Sequence, residues 1–298
     1  LTMVINMRIA LIADTHLSAR SPECVANWHA ARRAVERLGT DLTVHLGDIT
    51  LDGQTHGEEL AFASRLMQQW PTEMRCVPGN HDLGDGSGEM SLDGRLLSAY
   101  GDIFGADHWF VRAGDWQLLG LNAQLLGTGS AQELALWRWI EDQADQAAAH
   151  THTALFLHRP VLRPQGSELT RKGRYVPGEA ARRLLHGPLR PTLRLVVSGH
   201  THQYLDRKVD GVRHIWMPST AFILPDDMQA RVGEKLVGVG LLDVGDDAAR
   251  FDLWCPDGMT RHDVCTLPFF HAATEAAATQ DVVCLPSKDD GFVKPHRA

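Results

Sequence analysis

Apolar residues in this chain gather in short runs, and each run ends at a polar residue capable of chemistry. Arg8–Ala13 (RIALIA) is a continuous apolar run that ends at Asp14. Runs of this length bounded by polar residues predict buried strands. Asp41–Leu46 (DLTVHL), Glu73–Val77, Ala154–Leu157 and Leu193–Val197 follow the same rule. Between them, apolar residues recur at helical spacing over Asn27–Leu38, Gly57–Trp70, Ser91–Phe104, Ala131–Ala149 and Pro177–His186. In Ala131–Ala149 the predicted apolar face is Leu134, Trp137, Ile140 and Ala144, and Ser91–Phe104 is expected over or near the strand ends.

Three hairpins complete the pattern. Trp109–Ala113 and Trp116–Asn122 turn at Gly114-Asp115, Tyr204–Val209 and Val212–Trp216 turn at Asp210-Gly211, and Leu236–Val244 pairs with Ala249–Trp254. An Asp-Gly pair between apolar segments is a strong hairpin signal. Strand–helix–strand units followed by antiparallel strands predict an α/β fold, two sheets packed as a sandwich and flanked by helices. Residues 1–273 read as one catalytic domain and 274–298, rich in Ala, Asp, Lys and Pro without period, as a loosely ordered tail.

Composition narrows the class. The chain has 298 residues, 44% of them hydrophobic, enough for a large core. No run approaches the roughly 20 apolar residues a bilayer span needs, and no signal-peptide pattern opens the sequence. Five cysteines without a CxxC pair suggest free thiols in a reducing compartment, so a cytoplasmic protein is expected. The Cys255–Cys265 pair is the one disulfide considered. A net charge of −8 argues against a nucleic-acid polymer as partner but not against a small anionic substrate beside bound cations.

Five segments carry the chemistry: Asp14-Thr15-His16, Gly47-Asp48, Gly79-Asn80-His81-Asp82, His158, and Gly199-His200-Thr201-His202. Each follows a predicted strand, where ligands of open α/β sheets collect. Together they offer hard oxygen and imidazole nitrogen donors, the mixture that divalent metals in phosphoryl chemistry take. Asp48 is a natural bridge between two cations, and Asn80 adds a neutral carbonyl oxygen. Single elements such as DxH or GD are weak signals; the ordered set is strong.

The order DxH, GD, GNHD, H, GHTH resembles the calcineurin-like metallophosphoesterases. The likeness spans about residues 7–255 and is greatest to the bacterial branch of class III cyclic-nucleotide phosphodiesterases and glycerophosphodiesterases, through Ala13–Leu17, Gly47–Thr50, Gly127–Gly129 and Ser198–His202. The resemblance implies a four-layer α-β-β-α sandwich with two mixed sheets. It implies two metal ions, manganese or iron first, with zinc and cobalt also compatible. One would be held by Asp14, His16, Asp48 and His202, the other by Asp48, Asn80, His158 and His200. His81, oriented by Asp82, would be the catalytic acid, and Asn80, His81 and Arg159 would contact substrate. A metal-bound hydroxide would attack phosphorus. Many relatives carry a second histidine after the fourth motif; here Arg159 follows His158, which bears on substrate class.

The expected activity is hydrolysis of a small phosphodiester, a cyclic nucleotide or glycerophosphodiester. The alternatives weighed are a phosphomonoesterase acting on a nucleotide or sugar phosphate, a nuclease, and an inactive scaffold. A homo-oligomer built through the strands after residue 203 is also entertained. The segment Arg159–Arg174 holds Arg159, Arg163, Arg171, Lys172 and Arg174 against Glu168 alone, and is expected to overhang the site. His29, His45 and His56 read as packing, surface or loop residues and Asn122 as structural; Trp70, Trp137, Trp139 and Trp216 read as packing groups, while Trp109 and Trp116, flanking a hairpin, could be either core or base-stacking.

Overall fold

The computed structural model describes residues 7–84, 94–148, 150–164, 173–245 and 248–272. Strand β1 (Met7–Ile12) shows why the architecture has four layers. Successive side chains of a strand face opposite ways, and Ile9 to Ile12 are all fully buried. Ile9 and Leu11 meet Phe156, Val197 and Trp109 in the core between two sheets. Ala10 and Ile12 face outward, onto Trp28, Ala31 and Val35 of helix α1 (Pro22–Leu38) and Ala63 of α2 (Glu58–Met67). A strand covered on both faces reads as an unbroken apolar run, which is what RIALIA is.

The first sheet places β1 between β2 (Leu42–His45) and β11 (Val239–Val244), with β3 (Glu73–Cys76) and β12 (Ala249–Trp254) at its edges. Pairing is parallel from β1 through β3 and antiparallel on the β11 side. The second sheet runs β4 (Trp109–Ala113), β5 (Trp116–Leu121), β6 (His152–Leu157), β7 (Leu193–Ser198), β9 (Val212–Trp216) and β8 (Leu205–Val209). The short strand β10 (Phe222–Ile223) pairs in parallel with His262–Asp263 apart from both sheets. The outer face of the second sheet carries α5 (Ala131–Asp145) and α6 (Gly178–His186). The four-layer sandwich with two mixed sheets is therefore the fold.

Several elements differ from the expectation. Helix α1 begins five residues earlier than predicted, at Pro22, whose fixed φ and missing N–H suit the first helical position. Leu134 is 55% exposed; the buried face of α5 is Leu136, Trp137 and Ile140. Glu133 takes the place expected of Leu134, because its carboxylate accepts from the Gly127 and Gly129 amides and from the Trp137 indole N–H. The hairpin strands after residue 203 divide between the two sheets. β9 inserts beside β7 in parallel, while β11 and β12 extend the first sheet. Helix α4 (Gly94–Phe104) packs on α2 and on the single turn α3 (Asn80–Leu83), which carries Asn80 and His81, so it lies near the site.

Trp109 and Trp116 are buried core residues. Asn122 is structural, its amide donating to Asp107 and its oxygen accepting from the Gln124 N–H. Cys24, Cys76, Cys255 and Cys265 are free thiols. The tail 274–298 lies outside the described residues. Among the described residues, no helix is long and apolar enough to cross a membrane.

Candidate metal centre

Parallel strands from both sheets end at one place. Asp14 follows β1, Asp48 follows β2, Asn80 follows β3, His158 follows β6, and His200 and His202 follow β7. Backbone bonds tie these loops within each sheet: Asp14 N–H to Gly47 O at 3.0 Å, His16 N–H to Asp48 O at 3.1 Å, and Gly199 N–H to His158 O at 3.0 Å. Others cross between the sheets. Thr220 N–H donates to Ala13 O at 2.8 Å, and the Ser219 hydroxyl donates to Asp14 O at 2.8 Å.

The loops are bent into a costly conformation. Asp14, His16, Asp48, His200 and His202 have φ values of 52°, 46°, 50°, 69° and 52°. L-residues in this left-handed region cost on the order of 1–2 kcal/mol each. The inter-loop hydrogen bonds hold them there, and strain held in this way clusters at functional sites. Glycines permit the close approach. A Cβ on Gly47 would meet His158 Nδ1 at 2.8 Å, one on Gly199 would meet Asp14 Oδ2 at 2.7 Å, and one on Gly79 would collide with the Asp48 carboxylate.

Two groups of three donors converge: Asp14, His16 and His202 on one side, and Asp48, His158 and His200 on the other, with ligand atoms within 4.8 Å inside each group. Asp48 belongs also to a third set, with His16 and His81, so it lies between the two groups. The outer ring nitrogens are committed. His202 Nδ1 lies 2.9 Å from Phe222 O, and His158 Nδ1 lies 2.8 Å from Leu46 O. A carbonyl can only accept, so in the neutral rings each Nδ1 carries the proton and each Nε2 presents a lone pair. His202 Nε2 stands 3.3 Å from His16 Nε2, and His158 Nε2 stands 3.0 Å from His200 Nδ1. With a cation bound, the neutral rings would present these lone pairs beside the carboxylates, the donor set divalent cations take. The residues fit the metal pair that the motifs imply.

Burial works to raise the Asp48 carboxyl, but the His158 and His81 charges outweigh it and hold it well below the usual carboxylate range. Burial alone would lower the His158 imidazole; Asp48 beside it carries it up to about 9. Burial, then neighbouring positive charge, pushes His16 and His200 well down. Opposed shifts within one cluster indicate groups held closer than water would allow, as at functional sites.

The other predicted residues occupy distinct positions. Asn80 Oδ1 lies 3.2 Å from His158 Nε2, on the ligand side. The His81 backbone N–H donates to Asp48 Oδ1 at 2.9 Å, and its ring stands edge-on to His16 at 4.9 Å. Asp82 does not orient His81. Its carboxylate accepts from the backbone N–H groups of Ile49, Thr50 and Gly79 and from the Thr50 hydroxyl, fully buried. The Leu51 carbonyl, 2.6 Å from His81 Nδ1, is what sets that ring. Sequence reasoning missed it because a backbone oxygen has no residue signature. It likewise understated His45, whose Nε2–H donates to the Thr15 hydroxyl at 2.9 Å directly beneath the site.

The donors open into a cleft of about 380 Å³, the lower end of small-molecule sites, which run roughly 300–1,000 Å³. Arg159, Gly173 and Arg174 line one part of it, as the basic segment predicted; Arg171 and Lys172 lie outside the described residues. Phe222, Leu224, Met228, Val264, Phe269 and Phe270 line another part. None of these six was anticipated, because isolated aromatics and aliphatics in loops carry no period to read.

Comparison with known proteins agrees with this geometry. The chain is 29% identical over 227 residues to the 3′,5′-cyclic adenosine monophosphate phosphodiesterase CpdA of Escherichia coli K12, covering 72% of this chain and 76% of that protein. A probable cyclic nucleotide phosphodiesterase of Psychrobacter arcticus is 26% identical over 243 residues, covering 73% and 81%. Among solved structures, the yellow lupin purple acid phosphatase PPD1 shares the fold with a TM-score of 0.65 at 12% identity, covering 87% of this chain and 53% of that one. A dimetal phosphatase from Danio rerio aligns with a TM-score of 0.54 at 15% identity, covering 82% and 98%. A family model, calcineurin-like phosphoesterase, matches residues 7–204, the span holding every converging donor. The chain belongs to the calcineurin-like phosphoesterase family and is a phosphoric ester hydrolase.

Proposed function

We propose that this protein is a two-metal phosphodiesterase acting on small phosphodiesters, with 3′,5′-cyclic nucleotides as the first class to test. The observation that carries the reading is the placement of Asp48 between two buried carboxylate–imidazole groups. The relatives named as cyclic nucleotide phosphodiesterases favour a diester over a monoester. Asp14, His16, Asp48 and His202 would hold one ion, and Asp48, Asn80, His158 and His200 the other. Manganese or iron heads the order of expectation, followed by zinc and cobalt. A cytoplasmic location accords with the four free thiols.

When bound, the ions supply Lewis-acid charge for the phosphoryl oxygens and lower the pKa of a water. The protein's own groups do the rest. Arg159 and Arg174 lend positive charge to the anionic ester in the cleft. Hydrolysis forms one phosphorus–oxygen bond to water and breaks the ester bond, so the leaving oxygen needs a proton. His81 would give it from Nε2. Because Nδ1 is committed to Leu51 O, the ring must carry both protons to do so.

The test is turnover by metal-stripped protein titrated with Mn²⁺, comparing cyclic AMP, bis(p-nitrophenyl) phosphate and p-nitrophenyl phosphate. Metal-dependent diester turnover supports the proposal. A large excess of rate on the monoester, or no turnover with any metal from folded protein, overturns it.

A further inference from the structure

The cleft has two unlike sides, and each is anchored to a different donor group. Arg159, next in the chain to His158, lines the cleft together with Arg174. Phe222 lies at the opposite group: its ring stacks on His16 at 4.7 Å and 27°, and meets His202 tilted, at 4.9 Å and 44°. Its backbone oxygen also holds His202 Nδ1. From Phe222 the apolar surface continues without a break. Phe269 is 5.9 Å from it, and Leu224, Val264, Phe269 and Phe270 pack in the same cluster. Met228 adds a polarisable edge to the cleft and is 41% exposed.

A metal centre built only to bind phosphate has no use for such a wall. Leu224, Met228, Phe269 and Phe270 line the cleft and keep exposed surface for a ligand to cover, while Phe222 and Val264 are buried in the same wall and support it; aromatic faces favour flat rings. We infer that Phe222, Leu224, Met228, Val264, Phe269 and Phe270 form a subsite for a planar, heteroaromatic ring attached to the phosphate ester. The phosphate lies over the donors, its charge meets Arg159 and Arg174, and the ring lies on the phenylalanines. This selects nucleotide-like esters over esters of glycerol or other small polyols. All six residues lie beyond residue 204, where the family match ends, so family membership leaves this preference open.

The inference rests on the phosphodiesterase reading for the position of the phosphate, and the test separates the two. Adenosine 5′-monophosphate and ribose 5-phosphate differ only by the base. Their affinities for the Mn²⁺-loaded protein are measured by calorimetry, for the parent and for the double variants Phe269→Ala/Phe270→Ala and Phe269→Leu/Phe270→Leu. Both positions are half-buried, and the leucine pair keeps apolar packing while removing the rings. The parent is expected to prefer the nucleotide by about tenfold, the scale of one base–aromatic contact. Both double variants are expected to lose most of that preference while binding ribose 5-phosphate as before. Equal affinities in the parent, a preference retained in both variants, or no binding of either compound overturns the inference. Failure of the phosphodiesterase reading appears separately, as no turnover of bis(p-nitrophenyl) phosphate by the same preparation.

Discussion

The backbone N–H of His200 donates to both carboxylate oxygens of Asp14, at 3.1 and 3.0 Å, across 186 residues of chain. This bond joins the first sheet to the second at the centre of the site. It leaves Asp14 with a partner while keeping its oxygen 3.4 Å from His202 Nε2. The donor groups are therefore pre-formed by protein contacts, so that a cation would enter an arranged site rather than assemble one. Each expected outcome below depends on that arrangement.

Replacing Asp48 with Asn keeps the shape and removes the charge shared by both groups. Metal content, read by inductively coupled plasma spectrometry, is expected to fall from two ions per chain to one or none. Diesterase kcat/KM should fall by at least about a hundredfold, the scale of a lost charged catalytic group. Full metal content with full activity would refute the bridging position.

His81 lies within ligand reach of His16 and Asp48, yet is assigned here to the leaving oxygen. His81→Ala separates these roles. As an acid, His81 leaves both ions bound when removed, and kcat falls by roughly 10²–10⁴. A variant that loses one equivalent of metal would make His81 a ligand instead.

Asp82 accepts from three backbone N–H groups and one hydroxyl in a fully buried setting, so its removal is a structural lesion. Asp82→Ala strands those donors, and each buried unsatisfied group costs about 1–3 kcal/mol. A lower thermal midpoint is expected, with activity per folded molecule reduced less than in His81→Ala. A normal midpoint with abolished activity would restore the catalytic role first expected for Asp82.

Gly79 has a backbone any residue adopts, but a Cβ there would run into both the carboxylate and the backbone nitrogen of Asp48. Gly79→Ala should therefore push the Asp48 loop away, lowering the thermal midpoint and weakening metal binding together. Mn²⁺ titrations monitored by activity, beside thermal melts, read the two losses, and an unchanged midpoint with unchanged metal affinity would refute the close approach.

His214 sits buried on β9, and burial lowers its imidazole to about 4. The unfolded chain binds its proton near pH 6.5, so between these values the unfolded state takes up more protons. Stability from this residue is complete above pH 6.5 and declines as pH falls towards 4, by on the order of 3 kcal/mol. His214→Gln should flatten the acid side of a denaturation profile. An unchanged slope between pH 6.5 and 4 would show that His214 is not protonated on unfolding in that range.

The donors were legible because metal chemistry restricts residue type and because parallel strands must end somewhere. RIALIA before Asp14 and LRLVVS before Gly199 announce both the strand and its end. The ring-setting carbonyls of Leu46, Leu51 and Phe222 were illegible, since any residue supplies a carbonyl. Asp82 was misread for a related reason: adjacency to His81 suggested a contact, whereas the single turn of α3 directs its carboxylate back to Ile49, Thr50 and Gly79.

By itself the sequence determined the two-sheet class, the helices that cover it, and the residues able to hold metal, because periodicity and donor chemistry are local properties. Tertiary structure alone decided the rest. It placed β11 beside β1, locked each imidazole by a distant carbonyl, and laid Phe222 against His16 and His202. The longest of those relations join residues more than two hundred positions apart, and no local pattern encodes a contact whose two halves are set by how separate layers pack.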